Sequence, residues 1–177
     1  MHCKKSIFDL NRISVEQFKE AEKLPLVVVL DNVRSMYNVG SVLRTADAFR
    51  VNRVYMCGIT PRPPHPEIHK TALGAEDSVE WSYVKDTLAA VAELKDKGYN
   101  VYAVEQCEGS IMLDCVENLE SSGIAIVFGH EVKGVSQEVI DQCDQCLEIP
   151  QYGTKHSLNV STTAGIVIWE LWKMLHR

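Results

Sequence analysis

Short apolar runs rich in β-branched residues recur along the chain, and segments with helical spacing separate them. The clearest runs are Leu26–Leu30 and Ile124–Phe128, and shorter ones lie at 54–57, 79–84, 99–104 and 147–149. A run that is apolar on both faces is typical of a strand buried inside a parallel sheet. The alternation of such runs with helical segments predicts an α/β fold with a mainly parallel sheet and flanking helices.

The length of the chain favours a single domain. With 177 residues, of which 46% are hydrophobic, it is long enough to bury one sizeable core. We therefore expect one domain over residues 1–177, in which residues 1–24 form a polar, helical lead-in. No apolar run is long enough to span a bilayer, and no secretory signal follows the first lysines. A cytoplasmic protein is the expectation, and the six cysteines fit it as reduced thiols.

Helical patterns are predicted after most of the strands. They cover residues 38–50, 67–73, 86–97, 137–143 and 158–174. The last pattern carries apolar residues around nearly its whole circumference, which is typical of a helix buried on all sides. A terminal helix in a small domain is most easily covered by a second subunit, so we expect a homodimer. A central helix wrapped by its own chain is the alternative.

Three polar loops each link a strand to a helix. They follow the strands that end at Leu30, Phe128 and Ile149. Because ligands bind at the carboxyl ends of parallel strands, we expect these loops to meet at one edge of the sheet. In the third loop, Ser157, Asn159 and Ser161 crowd the start of the last helix, although one capping residue would serve there. The surplus indicates a ligand site, and a well-capped helix after a Pro-terminated strand is the alternative.

The charge of the chain is unevenly distributed. The formal net charge of −6 does not by itself indicate nucleic-acid binding. Residues 34–70, however, hold six Lys or Arg and two Asp or Glu, whereas residues 71–148 hold four and sixteen. A basic face on an acidic body would attract a phosphate backbone locally. A solvent surface with unevenly spaced charges is the alternative.

Common cofactor and metal motifs are absent from the sequence. There is no G-x-G-x-x-G after the first strand, no P-loop and no G-x-S-x-G elbow. Cys143 and Cys146 form a lone C-x-x-C pair, whereas a structural zinc site needs four ligands. Chance helical spacing is the better explanation for this pair, ahead of a redox role, and no metal site is predicted.

The three polar loops carry three motifs. They read Asn38-Val-Gly-Ser-Val-Leu-Arg44, then Phe128-Gly-His-Glu131-Val-Lys-Gly134-Val-Ser136, then Ile149-Pro150 followed by Ser157-Leu-Asn159-Val-Ser161. In order and spacing, over about residues 24–175, they resemble the signature motifs of the SpoU (TrmH-type) RNA 2′-O-ribose methyltransferases of the SPOUT superfamily. Gln151 and Val135 stand where this family usually has Met and Leu, and neither is expected to take part in the chemistry.

The resemblance implies a fold, a cofactor and a partner. The fold is the SPOUT fold, whose C-terminal third forms a deep trefoil knot, and the methyl donor is S-adenosyl-L-methionine. The partner is a second copy of the chain, because the family builds its active sites from both subunits of an obligate homodimer. The implied cofactor-binding residues are Val104, Gly129, Ile149, Ser157 and Leu158. The implied catalytic residues are Asn38, Arg44, Glu131, Ser157 and Asn159.

Arg44 has two candidate roles. The resemblance implies that it acts as the general base together with an RNA phosphate. A guanidinium group, however, almost never loses its proton in proteins. On physical grounds we expect Arg44 to bind the phosphate and to lower the pKa of the ribose 2′-OH, with the phosphate or a side chain as the base.

Contacts with RNA are expected in the basic segment. The candidate residues are Arg34, Arg44, Arg50, Arg53, Arg62 and Lys70, and for each alone a solvated surface charge is the alternative. Since folded RNA is recognised largely by its shape and its 2′-OH groups, these residues do not identify the RNA. We expect tRNA ahead of rRNA. The competing hypotheses are a non-catalytic RNA-binding protein of the same fold and a nucleotide-binding α/β protein of another activity.

Overall fold

The computed structural model describes residues 2–116 and 123–176, so Met1 and Arg177, the ends of the predicted domain, lie outside the described residues. Within them, seven strands form one sheet in which every strand pairing is parallel. The strands are β1 (Leu24–Asp31), β2 (Val51–Cys57), β3 (Trp81–Val84), β4 (Asn100–Val104), β5 (Ile111–Met112), β6 (Ile124–Phe128) and β7 (Gln145–Glu148). Their order across the sheet is β3-β2-β1-β6-β4-β7-β5. The predicted α/β fold with a mainly parallel sheet is confirmed.

The part of the chain that the structure describes also contains seven α-helices. They are α1 (Val15–Glu20), α2 (Met36–Ala48), α3 (Pro66–Ala72), α4 (Ala75–Ser78), α5 (Thr87–Asp96), α6 (Gln137–Ile140) and α7 (Val160–Leu175). A 3-10 turn at Ile7–Leu10 precedes α1, so the predicted lead-in is helical only in part. No helix of the described residues has both the length and the apolar character needed to cross a membrane.

Both faces of the sheet are covered, which explains why its central strands read as continuous apolar runs. On one face Leu26, Val28 and Leu30 pack in a cluster with residues of α2 and α7. On the other face Val27 and Val29 pack in a second cluster with residues of α5. Helices α2 and α7 therefore lie on the same side of the sheet, and both begin at its carboxyl edge.

The boundaries around α2 differ from the prediction. The helix begins at Met36 rather than at Asn38, because the Ser35 hydroxyl caps it by accepting a hydrogen bond from Asn38 N at 3.3 Å. It ends at Ala48 rather than at Arg50, and the next strand, β2, begins at Val51, three residues before the predicted run at 54–57. Asn38 is thus part of the first helical turn, where its side-chain direction is fixed.

Other boundaries differ because short elements went unrecognised. The strand predicted at 79–84 begins at Trp81, because α4 occupies the preceding residues, and neither α4 nor β5 was predicted. Helix α6 ends at Ile140, so Cys143 lies in the following turn and Cys146 lies in β7. Chance helical spacing is therefore the wrong explanation for the C-x-x-C pair. All six cysteines are free thiols.

Helix α7 is not buried on all sides by its own chain, so the alternative of a central helix wrapped by its own chain is wrong. Its inner face, which includes Val167 and Leu171, is buried against α2 and β1. On its outer face Ile166 is 38% exposed and Trp169 is 46% exposed. The reason is that the helix packs on a single layer of structure, which covers only one side of it. An apolar stripe therefore remains on the surface.

Candidate active site

Side chains from the three polar loops meet in one hydrogen-bond network at the carboxyl edge of the sheet. Asn38, in the first turn of α2, donates its side-chain amide to Glu131 Oε1 at 3.0 Å. The side-chain amide of Asn159 donates in turn to Asn38 Oδ1 at 3.1 Å. One buried asparagine thus joins the loop after β6 to the start of α7. The predicted convergence of the three loops is confirmed for these three side chains.

Glu131 holds the chain segment that leads into α2. Its carboxylate accepts hydrogen bonds from the backbone amides of Arg34 at 3.0 Å and Ser35 at 2.8 Å, besides the one from Asn38. Burial raises the pKa of Glu131, but these hydrogen bonds outweigh burial, and the resulting pKa lies below the ordinary value. The carboxylate is therefore ionised at neutral pH and fixes the entry to α2.

Of the three polar residues predicted at the start of the last helix, only Asn159 caps it. Its Oδ1 accepts hydrogen bonds from the backbone amides of Ser161 at 2.9 Å and Thr162 at 3.4 Å. The Ser161 hydroxyl also donates to this oxygen, at 2.7 Å. Ser157 takes no part in the cap and lies in the wall of a cavity. The amide oxygen of Asn159 therefore caps α7, whereas its amide nitrogen joins the hydrogen-bond network.

A cavity of about 890 Å³ lies among the loops that follow β4, β6 and β7. Its lining includes all five residues that the resemblance assigns to the cofactor, namely Val104, Gly129, Ile149, Ser157 and Leu158. The volume is within the range of small-molecule sites. A Cβ at Gly129 would lie 2.1 Å from both Gly134 C and Val135 N, so only glycine fits there. The wall at Gly129 is bare backbone, which allows close main-chain contact with a ligand.

Glu105, directly after β4, supports the cavity loop and was not predicted as a site residue. Its Oε2 accepts a hydrogen bond from Val135 N at 3.0 Å. The side-chain amide of the next residue, Gln106, donates to the His156 carbonyl at 2.8 Å. The loop after β4 thus contacts both the second and the third motif loop. The signal available in the sequence was an acidic residue at the carboxyl end of a predicted strand.

Asp31, the last residue of β1, is a second acidic side chain at the carboxyl edge that went unassigned. It is 2% exposed, and its Oδ2 accepts a hydrogen bond from Ser136 N at 3.2 Å. Its Oδ1 accepts hydrogen bonds from Thr87 Oγ1 at 2.6 Å and Asn32 Nδ2 at 2.8 Å. Asp31 therefore ties the first motif to the end of the second, whereas Glu131 ties the second motif back to the first. The two loops are locked in both directions.

Arg44 lies apart from this network. It is six residues beyond Asn38 on α2, which places it about 9 Å further along the axis and about 120° around it. Arg44 is exposed and is not among the residues that line the cavity. Among the described residues it has no hydrogen-bond or ion-pair partner. Within the described residues of one chain, therefore, its guanidinium is free and does not line the cavity.

The six basic residues predicted to contact RNA do not share one edge of the sheet. Arg34, Arg62 and Lys70 lie at the carboxyl edge, in or just beyond the loops that follow β1 and β2, and Arg62 stacks over the Tyr83 ring at 4.1 Å. Arg50 and Arg53 lie at the opposite edge, before and within the start of β2. Arg53 pairs with Glu80, and Lys70 pairs with Glu67 at 2.5 Å. Their role in RNA binding stays a prediction.

Over the ranges 2–116 and 123–176, no group of three or more metal-ligating side chains is arranged to hold a metal ion.

Comparison with known proteins identifies the family of this chain. The model of the SpoU rRNA Methylase family matches residues 25–169, a range that includes all three motifs. The protein belongs to the SpoU methylase family. A Staphylococcus aureus (strain MSSA476) protein assigned to the TrmH family of tRNA/rRNA methyltransferases is 34% identical over 163 residues. These residues make up 92% of this chain but 64% of that relative, so the chain spans less than two thirds of its length.

Solved structures share the fold of this SpoU family member. A structure that concerns the 2-OH methylation of C/U34 on tRNA is 25% identical, with a TM-score of 0.75 over 85% of this chain and 96% of that chain. The AdoMet-bound rRNA methyltransferase of Sinorhizobium meliloti superimposes with a TM-score of 0.79 over 88% of this chain and 59% of that chain. Because this structure is only 23% identical to the chain, the likeness shows a shared fold and no more.

Proposed function

We propose that this protein is an S-adenosylmethionine-dependent RNA methyltransferase that methylates a ribose 2′-OH in tRNA. The observation that carries the proposal is the junction of Asn38, Glu131 and Asn159 beside a cavity whose lining holds the five expected cofactor residues. Family membership supports the reaction class. Glu131 belongs both to the network and to the cavity wall, so the two features form one site.

The cavity fits a nucleoside-containing methyl donor. The backbone of Gly129, Ile149 and Leu158, with Val104 beside them, would hold the adenosine, and Ser157 would lie near the reacting group. Bound S-adenosylmethionine supplies an electrophilic methyl group on a positively charged sulfur. The acidic side chains in the lining are Glu105, Glu108, Glu131, Asp144 and Glu148, against Lys133 as the basic one besides a histidine. This excess of negative charge favours a cationic ligand.

The residues of the chain act mainly by orientation. Transfer of a methyl group to a weakly acidic hydroxyl needs alignment, and well-oriented reactants account for about 7–11 kcal/mol of a barrier. The network of Asn38, Glu131 and Asn159 holds the starts of α2 and α7 in one geometry. Arg44 would bind an RNA phosphate and stabilise the charge that develops on the 2′ oxygen, while its guanidinium keeps its proton. The 2′-OH proton would pass to the phosphate or to a side chain.

We also propose that the active protein is a homodimer. The exposed stripe of Ile166 and Trp169 on α7 is a surface that a second copy would cover. A dimer would also explain why Arg44 does not line the cavity of its own chain, since it would then serve the cavity of the partner. Each active site would then combine the cavity of one subunit with Arg44 of the other.

The remaining features of the proposal follow the family. We infer that residues 1–177 act as one SpoU-type domain in the cytoplasm and that the C-terminal third is knotted. The sheet order, which inserts β7 between β4 and β5, supports the knot, as does the hydrogen bond from Gln106 to the segment that leads into α7. A crystal structure whose ends can be pulled apart without tightening a knot would contradict this part.

The choice of tRNA over rRNA rests on one comparison. The structure concerned with tRNA methylation is matched over 96% of its length, whereas the S. meliloti rRNA methyltransferase is matched over 59%. A methyltransferase core that matches a tRNA-acting protein nearly end to end favours the same substrate class. Ribosomal RNA is the second candidate, because the S. aureus relative is assigned to either substrate.

A labelling experiment tests the proposal. The purified protein is incubated with S-adenosyl-[methyl-³H]methionine and either bulk tRNA or ribosomal RNA, and the digested nucleosides are separated. Label in a 2′-O-methylnucleoside from tRNA is the expected result. Label on a base would overturn the reaction class, and label confined to rRNA would overturn the substrate. Tight RNA binding without transfer would favour the non-catalytic RNA-binding protein of the same fold.

A further inference from the structure

Tyr37 is an exposed aromatic residue that the proposed mechanism leaves unused. It lies in the first turn of α2, next to Asn38, and is 51% exposed. Because a helix turns about 100° per residue, Tyr37 and Arg44, seven residues apart, share one face of α2. Asn38 points instead into the buried network, and Tyr37 does not line the cofactor cavity. The ring therefore lies on the surface that carries Arg44.

The Tyr37 ring is held in place from two directions. Its hydroxyl is hydrogen-bonded to the Glu67 carboxylate on α3, and Lys70 Nζ donates to the other oxygen of that carboxylate at 2.5 Å. Its backbone carbonyl accepts a hydrogen bond from Thr71 Oγ1 at 3.0 Å. The hydrogen bond to Glu67 raises the pKa of Tyr37, so the phenol stays protonated at neutral pH. A tyrosine that contributed only to the solubility of the surface would not need these two hydrogen bonds.

Close packing of α2 on α3 makes this arrangement rigid. At Gly40 a Cβ would lie 2.3 Å from the Ile68 carbonyl oxygen and 2.1 Å from Thr71 Oγ1, so the two helices approach as closely as backbones allow. The helix that carries Glu67 is therefore fixed against the helix that carries Tyr37. A ligand that contacts the ring meets a preformed surface and loses little entropy in ordering it.

The surroundings of Tyr37 favour a nucleobase over a protein as its ligand. A protein interface core needs a contiguous apolar patch, whereas the ring stands near the basic residues Arg34, Arg44 and Lys70. Unpaired bases stack on aromatic side chains, and their phosphates need nearby cations. Tyr37 and Arg44 are about 10 Å apart along the axis of α2, which is the scale of one nucleotide from base to neighbouring phosphate.

We propose that Tyr37 stacks on the base of the target nucleotide and is a specificity-determining residue of the RNA site. This inference rests on the proposed function, since it assigns to Tyr37 the base whose ribose is methylated. Stacking on one side of the base would fix the sugar relative to Arg44. Glu67 is then a positioning residue, because it acts only through the tyrosine hydroxyl.

The test compares two variants of Tyr37 on two RNAs. The wild-type protein first defines the methylated nucleotide in an unmodified tRNA transcript, and a second RNA is made with an abasic site at that nucleotide. Removal of the base is expected to lower the wild-type kcat/KM about 10- to 100-fold. Tyr37→Phe keeps the ring but loses the hydrogen bond to Glu67, so its discrimination between the two RNAs should lie between that of the wild type and that of Tyr37→Leu. Tyr37→Leu replaces the ring with a residue that also favours helices. It should methylate both RNAs with the low kcat/KM that the wild type shows on the abasic RNA, and its KM for S-adenosylmethionine should be unchanged.

Leu73→Ala is the matched control. Leu73 is 62% exposed at the end of α3, so its truncation also removes a large surface side chain from the same helix pair. Its discrimination between the two RNAs should equal that of the wild type. Undiminished discrimination by Tyr37→Leu, or an equal loss in Leu73→Ala, would overturn the inference. A wild-type protein that methylates no RNA would instead overturn the proposed function, and equal affinities of wild type and Tyr37→Leu for single-stranded RNA would then overturn the role of Tyr37.

Discussion

Three of the six basic side chains in the predicted RNA-binding segment have partners among the described residues, and Arg44 is one of the three that have none. Arg53 and Lys70 form ion pairs with glutamates, and Arg62 stacks on Tyr83. A free guanidinium on a rigid helix is suited to bind a phosphate with two parallel hydrogen bonds, a geometry that lysine does not reproduce.

Arg44→Ala and Arg44→Lys are therefore both expected to lower the rate of methyl transfer by about 100-fold or more. Since Arg44 is not part of the cavity lining, the affinity for S-adenosylmethionine should stay unchanged in both variants. Single-turnover methylation and isothermal titration calorimetry measure the two quantities. Arg12→Ala, an exposed arginine in the lead-in, is the control and should behave as the wild type. Full activity of Arg44→Lys would show that a point charge is sufficient.

Glu131 represents the opposite case, a charge whose side-chain hydrogen bonds are all made to groups of its own chain. Glu131→Gln replaces one acceptor oxygen with a donor that faces a backbone amide, so the free energy of unfolding at pH 7 should fall by about 1–3 kcal/mol. The folded-state pKa of Glu131 lies below the unfolded value of about 4.3. The stabilisation is therefore complete above about pH 4.3 and is lost as the pH falls through the folded-state pKa.

Urea unfolding of the wild type and Glu131→Gln between pH 7 and pH 3.5 checks this pH dependence. The difference in unfolding free energy should shrink at the acidic end of the series. Glu22→Gln, at an exposed position without such hydrogen bonds, should show no difference at any pH. A constant difference for Glu131→Gln across the series would mean that its effect is steric.

At the scale of single elements, the start of α7 combines a structural and a functional task in one side chain. Asn159→Ala removes the cap and should lower the free energy of unfolding by about 1 kcal/mol, and it should also lower methyl transfer. Asn159→Asp keeps the capping oxygen but replaces the amide donor to Asn38 with a second acceptor. We expect this variant to keep the helix cap, to lose about 1–3 kcal/mol of unfolding free energy because two acceptors then face each other, and to lose methyl transfer at least tenfold.

Thermal unfolding and initial rates measured on the same preparations separate these two effects. Ser161→Ala serves as the control, because its hydroxyl donates to the capping oxygen without reaching the network. It should reduce stability slightly and leave turnover near the wild-type value. Unchanged turnover in Asn159→Asp would show that the hydrogen bond to Asn38 has no part in the site.

The elements differ in how much of them the sequence determines. The strands β1 and β6 are buried on both faces, so continuous apolar runs in the sequence predict them. The sequence motifs could then be found in the polar loops that follow predicted strands. β5 has two residues and α4 has four, too few for any periodicity to show. The roles of Asp31 and Glu105 depend on which backbone amides the fold brings to them, 105 and 30 residues away along the chain.

At the scale of the whole molecule, two observations point to a shared site. Arg44 is exposed and does not line the cavity of its own chain, and α7 leaves Ile166 and Trp169 on the surface. Trp169 is not a lone aromatic residue, since it stacks on Trp172 at 5.3 Å between ring centroids and contacts Phe49 at 5.7 Å. A cluster of this kind is typical of a surface that a partner covers.

Mixed dimers decide whether Arg44 serves the cavity of the other subunit. Arg44→Ala supplies an intact cavity without the arginine. Gly129→Val supplies the arginine with a disrupted cavity wall, since a side chain at this glycine overlaps the backbone of Gly134 and Val135, which line the cavity. Each variant alone should be inactive. After the two are unfolded together and refolded in equal amounts, half of the dimers are mixed, and each of these holds one complete site. The expected activity is therefore about a quarter of the wild-type value per subunit.

The mixed-dimer result has a clear opposite and a direct control. If Arg44 and the cavity act within one subunit, no mixed dimer contains a complete site, and the refolded mixture stays inactive. Introducing Ile166→Glu into both chains places a charge in the proposed interface, where an unpaired charge costs several kcal/mol to bury. The recovered activity should then disappear, and sedimentation should show monomers. Recovery that persists in monomers would contradict a shared site, because a monomer of either variant lacks Arg44 or an intact cavity and cannot borrow the missing part from a partner.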